Sequence, residues 1–117
     1  MKKPEPLIPT TFTVLRVLGP RKKHAVDLPR YPGFDGLRAV LKPLLDGKDF
    51  EHVSVLHEGR AADMFVDENG ACDGQVRNDA ATKIYRAYSL KRDPKTDPES
   101  LPAIYGTAIL VDRRVWS

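Results

Sequence analysis

Four apolar residues in succession, Ala108-Ile109-Leu110-Val111, constrain the fold of this chain more than any other stretch. Side chains along a strand point alternately to the two faces of a sheet, so this run is apolar on both faces. The segment "AIYGTAILVDRRVW" therefore reads as a last strand in a central position. The rest of the chain has to supply its neighbours and its cover.

Upstream, "TFTVLRVLG" is rich in β-prone residues (Phe12, Val14, Leu15, Val17, Leu18) and predicts a first strand. Gly19-Pro20 is turn chemistry, and Ala25 to Leu28 predicts a short return strand. The pair would form a hairpin whose tip carries Arg21, Lys22 and Lys23. Leu37, Val40, Leu41 and Leu44 fall at spacings of three, four and seven, which is one face of a helix. Asp35 is the expected N-cap, Pro43 predicts a kink or an end near Lys42, and Gly47 a stop. "EHVSVLHEG" alternates, with His52, Ser54 and Leu56 on one side and Val53 and Val55 on the other. "ADMFVDENGAC" predicts another strand running into a tight hairpin at Asn69-Gly70, with both residues at positive φ. "NDAATKIYRAYSL" predicts a second helix capped by Asn78, with Ala81, Ile84 and Tyr88 on one face and Tyr85 beside it.

The order is β-β-α-β-β-α-β. It reads as an α+β fold, a mainly antiparallel sheet with two helices packed on one face. A chain of 117 residues has the length of one domain. Three prolines at 4, 6 and 9 predict a flexible N-terminal arm over 1–10, leaving 11–117 as the domain, with 91–102 as a surface loop.

Composition excludes several classes. Apolar residues make up 41% and charged residues 30%, ordinary for a globular chain. No apolar run approaches the ~20 residues needed to span a bilayer. The opening "MKKPEPLIP" has no apolar core and does not read as a secretory signal. The single cysteine, Cys72, excludes an internal disulfide and fits a reducing cytoplasm. Nineteen basic against sixteen acidic residues give a net charge of +3, without the dense stripe of a dedicated nucleic-acid binder.

Catalytic and metal patterns are weak. "DENGACDGQVRN" (67–78) has acidic and amide groups, but lacks the alternating oxygen ligands and closing Glu of a calcium loop. It reads as turns leading to the Asn78 cap. Cys72 with His52 or His57 lacks a nucleophile signature and reads as a half-buried cysteine on a strand. One cysteine and three histidines show no zinc-ligand spacing. "GPRKKH" lacks the glycine spacing of a phosphate loop. Glu58, Asp63, Asp67 and Glu68 flank turns, as carboxylates do in many soluble proteins. The sequence therefore predicts no cofactor, no metal and no catalytic residue.

The stretch Leu37 to Val111 resembles a family of uncharacterised bacterial proteins met largely in phage, plasmid and prophage-like gene sets. The pattern is Glu-any-Gly, then Asn-any-any-Ala-Thr opening a helix, then Gly-any-Ala before an apolar strand. Here it is carried by Glu68 and Gly70, by Asn78, Ala81 and Thr82, and by Gly106 and Ala108. The resemblance implies a single domain of mobile-element origin and no catalytic residue. The arm and the proline-rich loop at 93–102 depart from it.

The surface feature left is basic and aromatic. Arg21-Lys22-Lys23-His24, then Arg86 with Lys91-Arg92, then Arg113-Arg114 form three groups, with Tyr31, Tyr85, Tyr88, Tyr105 and Trp116 nearby. Such groups suit an acidic protein face or a nucleic acid. The candidate partner-binding residues are therefore Arg21, Lys22, Lys23, Arg86, Lys91, Arg92, Arg113, Arg114 and Trp116. The reading is a small cytoplasmic, non-enzymatic protein that docks on a host macromolecule, possible inhibitors included. The alternatives are a nucleic-acid-binding accessory protein and a small-molecule enzyme.

Overall fold

The structure is a computed structural model, and it describes residues 5–116. Strands β1 (Ile8–Leu15) and β2 (Lys22–Leu28) are followed by helix α1 (Gly33–Leu44), strands β3 (Phe50–His57) and β4 (Arg60–Asp67), helix α2 (Asp79–Arg92), a 3-10 turn (Pro98–Ser100) and β5 (Ala108–Val111). One antiparallel sheet has the order β2-β1-β5-β4-β3. The α+β class and the element order are those read from the sequence. β5 is central, inserted between the two hairpins: Phe12 pairs with Val111 on one side and Met64 with Leu110 on the other.

The helices do not share a face, which corrects that part of the expectation. Ile109 and Val111 join Phe12, Val14, Phe65, Leu37 and Leu41 in one core, under α1. Ala108 and Leu110 join Leu15, Met64, Val66 and Ala81 in a second core, under α2. All four β5 residues are buried. A strand apolar on both faces needs both faces covered, so one helix lies on each.

Four local features also differ from expectation. β1 starts at Ile8: Ile8, Pro9 and Thr10 pair with Leu28, Asp27 and Val26, so these residues of the expected arm belong to the sheet. Residues 1–4 of that arm lie outside the described residues. Pro9 is tolerated because β5 pairs with β1 only from Phe12 onward, leaving that side of Pro9 without a ladder. Asp35 lies inside the first turn of α1, and Pro32 occupies the cap position. The helix passes through Pro43 to Leu44. Pro43 and Ala39 are both exposed, so the carbonyl of Ala39 can meet water in place of the missing amide. Gly47, at φ 80°, closes the end by donating its N–H to the Lys42 carbonyl at 2.8 Å.

The tight hairpin is at Glu58-Gly59, not Asn69-Gly70. His57 pairs with Arg60, and the two residues between them have φ of 51° and 79°. Two consecutive positive φ values match the right-handed twist of the strands. Neither Asn69 nor Gly70 has positive φ. β4 already has β3 and β5 as neighbours, and "ACDGQVR" offers no apolar alternation with which to return as a strand.

Candidate functional site

The residues 67–82 resolve into structural bonds centred on segment 104–106. Asp67 Oδ1 accepts the Asn69 N–H at 3.0 Å, and Asp73 N–H donates to the Asn69 carbonyl at 2.8 Å, giving consecutive turns. Gly70 packs against Tyr105 so closely that a Cβ would stand 2.5 Å from the Tyr105 carbonyl oxygen. Only glycine fits there, for want of space and not for want of a backbone angle. Asn78 is fully buried, with Oδ1 accepting the Ala81 N–H at 3.0 Å as the expected cap of α2. Its Nδ2 donates to the carbonyls of Leu15 at 2.9 Å and Gly106 at 2.8 Å. Thr82 Oγ1 accepts the Ile104 N–H at 2.9 Å. Gly70, Asn78, Thr82 and Gly106 therefore serve the framework: they weld α2 and the preceding turn to the entry of β5.

Cys72 is exposed on this turn, not half-buried on a strand. Among the described residues, no group of three His, Cys, Asp or Glu side chains is placed to hold a metal ion.

A polar cluster that the sequence reading missed lies under α1's side of the sheet. Asp63 is fully buried on β4. One oxygen accepts the N–H groups of Val115 at 2.7 Å and Trp116 at 2.8 Å, and the other lies 2.7 Å from His52 Nε2. The His52 ring stacks on Trp116 with centroids 5.2 Å apart, and Phe65 and Phe50 meet the indole edge-on. Burying these carboxylate oxygens without partners would be costly, and the three contacts satisfy them. The cluster fastens the segment after β5 onto the sheet. The only hint in the sequence was an Asp amid an apolar strand.

The nine candidate partner residues divide in two. Arg113 is consumed internally: its guanidinium donates to Thr10 Oγ1 at 3.0 Å and to the carbonyls of Arg30 at 2.7 Å, Pro29 at 3.0 Å and Arg114 at 3.1 Å. Arg86 donates to the Leu101 carbonyl at 3.2 Å and pairs with Glu99 at 3.8 Å, holding the proline-rich loop against α2. Trp116 is half-buried in the aromatic cluster. Arg21, Lys22, Lys23, Lys91, Arg92 and Arg114 are exposed. Arg92 lies over the Tyr88 ring at 5.7 Å.

Lys22 and Lys23 do not sit at the hairpin tip. They open β2 and pair with Val14 and Thr13; the connecting loop is 16–21, with Arg21 at its end and Leu18 86% exposed at its apex. From Lys22 to Ala25 every residue is exposed although successive side chains alternate faces, so neither helix covers this half of the hairpin. On α2's side, Arg21 and Lys23 border a groove of about 350 Å³ with Thr11, Thr13, His57 and Asp112. Asp112 there accepts the Thr11 N–H at 3.1 Å. Among the described residues, Arg21, Lys22 and Lys23 form no ion pair. A second cavity of about 190 Å³ lies between Tyr85, Tyr105, Val53 and Glu68. It is smaller than the roughly 300–1,000 Å³ usual for a small-molecule site. No helix among the described residues is long and apolar enough to cross a membrane.

No protein-family model, no curated protein and no solved structure matches this chain.

Proposed function

We propose that this protein is a non-enzymatic binding module that docks on an acidic macromolecule of its host through the β1–β2 hairpin. The observation that carries the reading is the exposed, unpaired cation group Arg21-Lys22-Lys23 on a hairpin half that neither helix covers. Three adjacent cations repel one another and gain little within the fold, because exposed charges are screened. Their placement is useful when an anionic surface approaches. Leu18 at the apex, flanked by Arg16 and Arg21, adds an apolar contact to a charged rim, the usual composition of a protein interface.

The second reading is nucleic-acid binding, favoured by the groove that joins Arg21 and Lys23 to Thr11, Thr13 and His57. Leu18, exposed at the apex beside these cations, offers an apolar contact that a protein face uses and a phosphate backbone does not, so the protein partner is preferred.

The test is a pull-down from host lysate with and without nuclease, followed by association rates for the wild type and an Arg21→Glu/Lys22→Glu/Lys23→Glu variant. The expected variant keeps its melting temperature and associates much more slowly at low salt, with the gap closing as salt rises. Wild-type association at low salt would show the hairpin cations to be solvated charge only. Loss of capture on nuclease treatment would shift the reading to nucleic acid.

A further inference from the structure

We infer that the outer flank of α1 is a second docking site, one that takes an acidic peptide segment through a single apolar anchor residue. Tyr31 and Phe34 are 50% and 57% exposed, and they stand within four residues of each other at the start of the helix. A soluble domain rarely leaves neighbouring large aromatics in water without a use for them. Phe34, Leu37, Val115 and Trp116 line a cavity of about 150 Å³ between α1 and the segment after β5. That volume is below the roughly 300–1,000 Å³ of a small-molecule site and suits one side chain. The indole is held firmly: Asp63 anchors its backbone N–H at 2.8 Å and His52 stacks on its ring. Rigid aromatic walls cost little entropy on binding.

Next to this cavity, a separate concavity forms a trough along the helix. Phe34 also borders this trough, with Arg38, Lys42, Lys48 and Phe50. Phe34, Arg38 and Lys42 are spaced four apart and lie along one stripe of α1. Lys42 is engaged with Asp49 at 3.7 Å, and Lys48 with the buried Asp67 at 3.3 Å. Arg38 makes no ion pair among the described residues, although Asp35 is one turn away and Glu68 borders the trough. Among the described residues, Arg30, beside Tyr31, has only that ring as partner for its guanidinium, at 5.7 Å. An apolar pocket next to a concavity that carries Arg38 selects an apolar side chain followed by carboxylates, and aromatic and Arg side chains are the usual carriers of binding energy. This surface lies on α1's side of the sheet and does not depend on the β2 cations.

Trp116 is the only tryptophan, so its emission and its indole N–H resonance report on the pocket. The probes are the blocked peptides Phe-Glu-Glu-Glu, Ala-Glu-Glu-Glu and Phe-Lys-Lys-Lys, titrated into the full chain. The expected result is a saturable shift of the Trp116 signal with Phe-Glu-Glu-Glu alone. Phe34→Ala and Arg38→Glu, both at exposed positions, should each weaken it about tenfold while the fold persists. The Arg21→Glu/Lys22→Glu/Lys23→Glu variant should bind this peptide as the wild type does, which separates this site from the hairpin. No Trp116 shift, or equal shifts with all three peptides, would overturn the inference. So would a Trp116 shift produced by dilution of the protein alone, which would make a second copy of the chain the occupant, or by a random oligonucleotide in place of the peptide.

Discussion

Asn78 carries the most chemistry of any single residue here, and it shows how little a cap motif reveals by itself. As a cap alone, its replacement by alanine would cost about 1 kcal/mol. Its amide nitrogen, however, also satisfies the carbonyls of Leu15 and Gly106 in a site without water access. Each buried carbonyl left unpaired adds roughly 1–3 kcal/mol. Asn78→Ala should therefore lose at least about 3 kcal/mol in urea denaturation, well beyond the cap value. Asn78→Asp makes the sharper comparison. Aspartate caps helices as well as asparagine does, but it has no donor and would place its carboxylate against two carbonyl oxygens. It should cost at least as much as alanine. A near-wild-type Asn78→Asp would mean that the two donor bonds contribute nothing.

Among elements, what was legible followed from burial. β5 could be read because four apolar residues leave no other economical placement, but the placement of both helices on one face overlooked that such a strand needs cover on each side. β2 was read three residues too short because it is an edge strand: Lys22, Lys23 and His24 are exposed, so no alternation marks them. Lysines on an edge also deter pairing with another chain's strand, a role compatible with docking. The hairpin was assigned to the wrong dipeptide because Asn-Gly is the stronger signal and glutamate rarely adopts positive φ. Arg86 and Arg113 could not be told from free cations, since backbone carbonyls, which leave no mark in a sequence, take one bond of Arg86 and three of Arg113. The Glu58-Gly59 turn yields a prediction. Glu58 at φ 51° is strained, and asparagine tolerates that region better. Glu58→Asn should raise stability by about 0.5–1 kcal/mol, a fraction of the usual strain cost. A destabilised variant in urea titration would show that Glu58 makes compensating contacts, such as its 3.8 Å approach to His57.

At the scale of the whole molecule, the sheet is two local hairpins joined by a strand from the far end of the sequence. β1 with β2 and β3 with β4 each form from neighbouring residues, but they meet only through β5. β5 therefore closes both cores at once, contributing Ile109 and Val111 to one and Ala108 and Leu110 to the other. Opening β5 would expose both cores and release the bonds from Asn78 and Asp63 that flank it. No partial opening of that strand is cheap, so its amides should exchange only when the whole domain unfolds. The first half of β2 is different: it lies at an edge, is uncovered by either helix and contributes nothing fully buried before Leu28. Native-state hydrogen exchange should thus show Ile109 and Leu110 protected to the global unfolding free energy, and Lys22 to Ala25 exchanging through local fraying with far lower protection. The free energies for β5 should fall with Asn78→Ala by the same amount as the global value, while those for Lys23 and His24 stay put. Equal protection across β5 and the start of β2 would mean that the hairpin is an integral part of the cooperative unit, and that its exposed cations are held more rigidly than its burial implies.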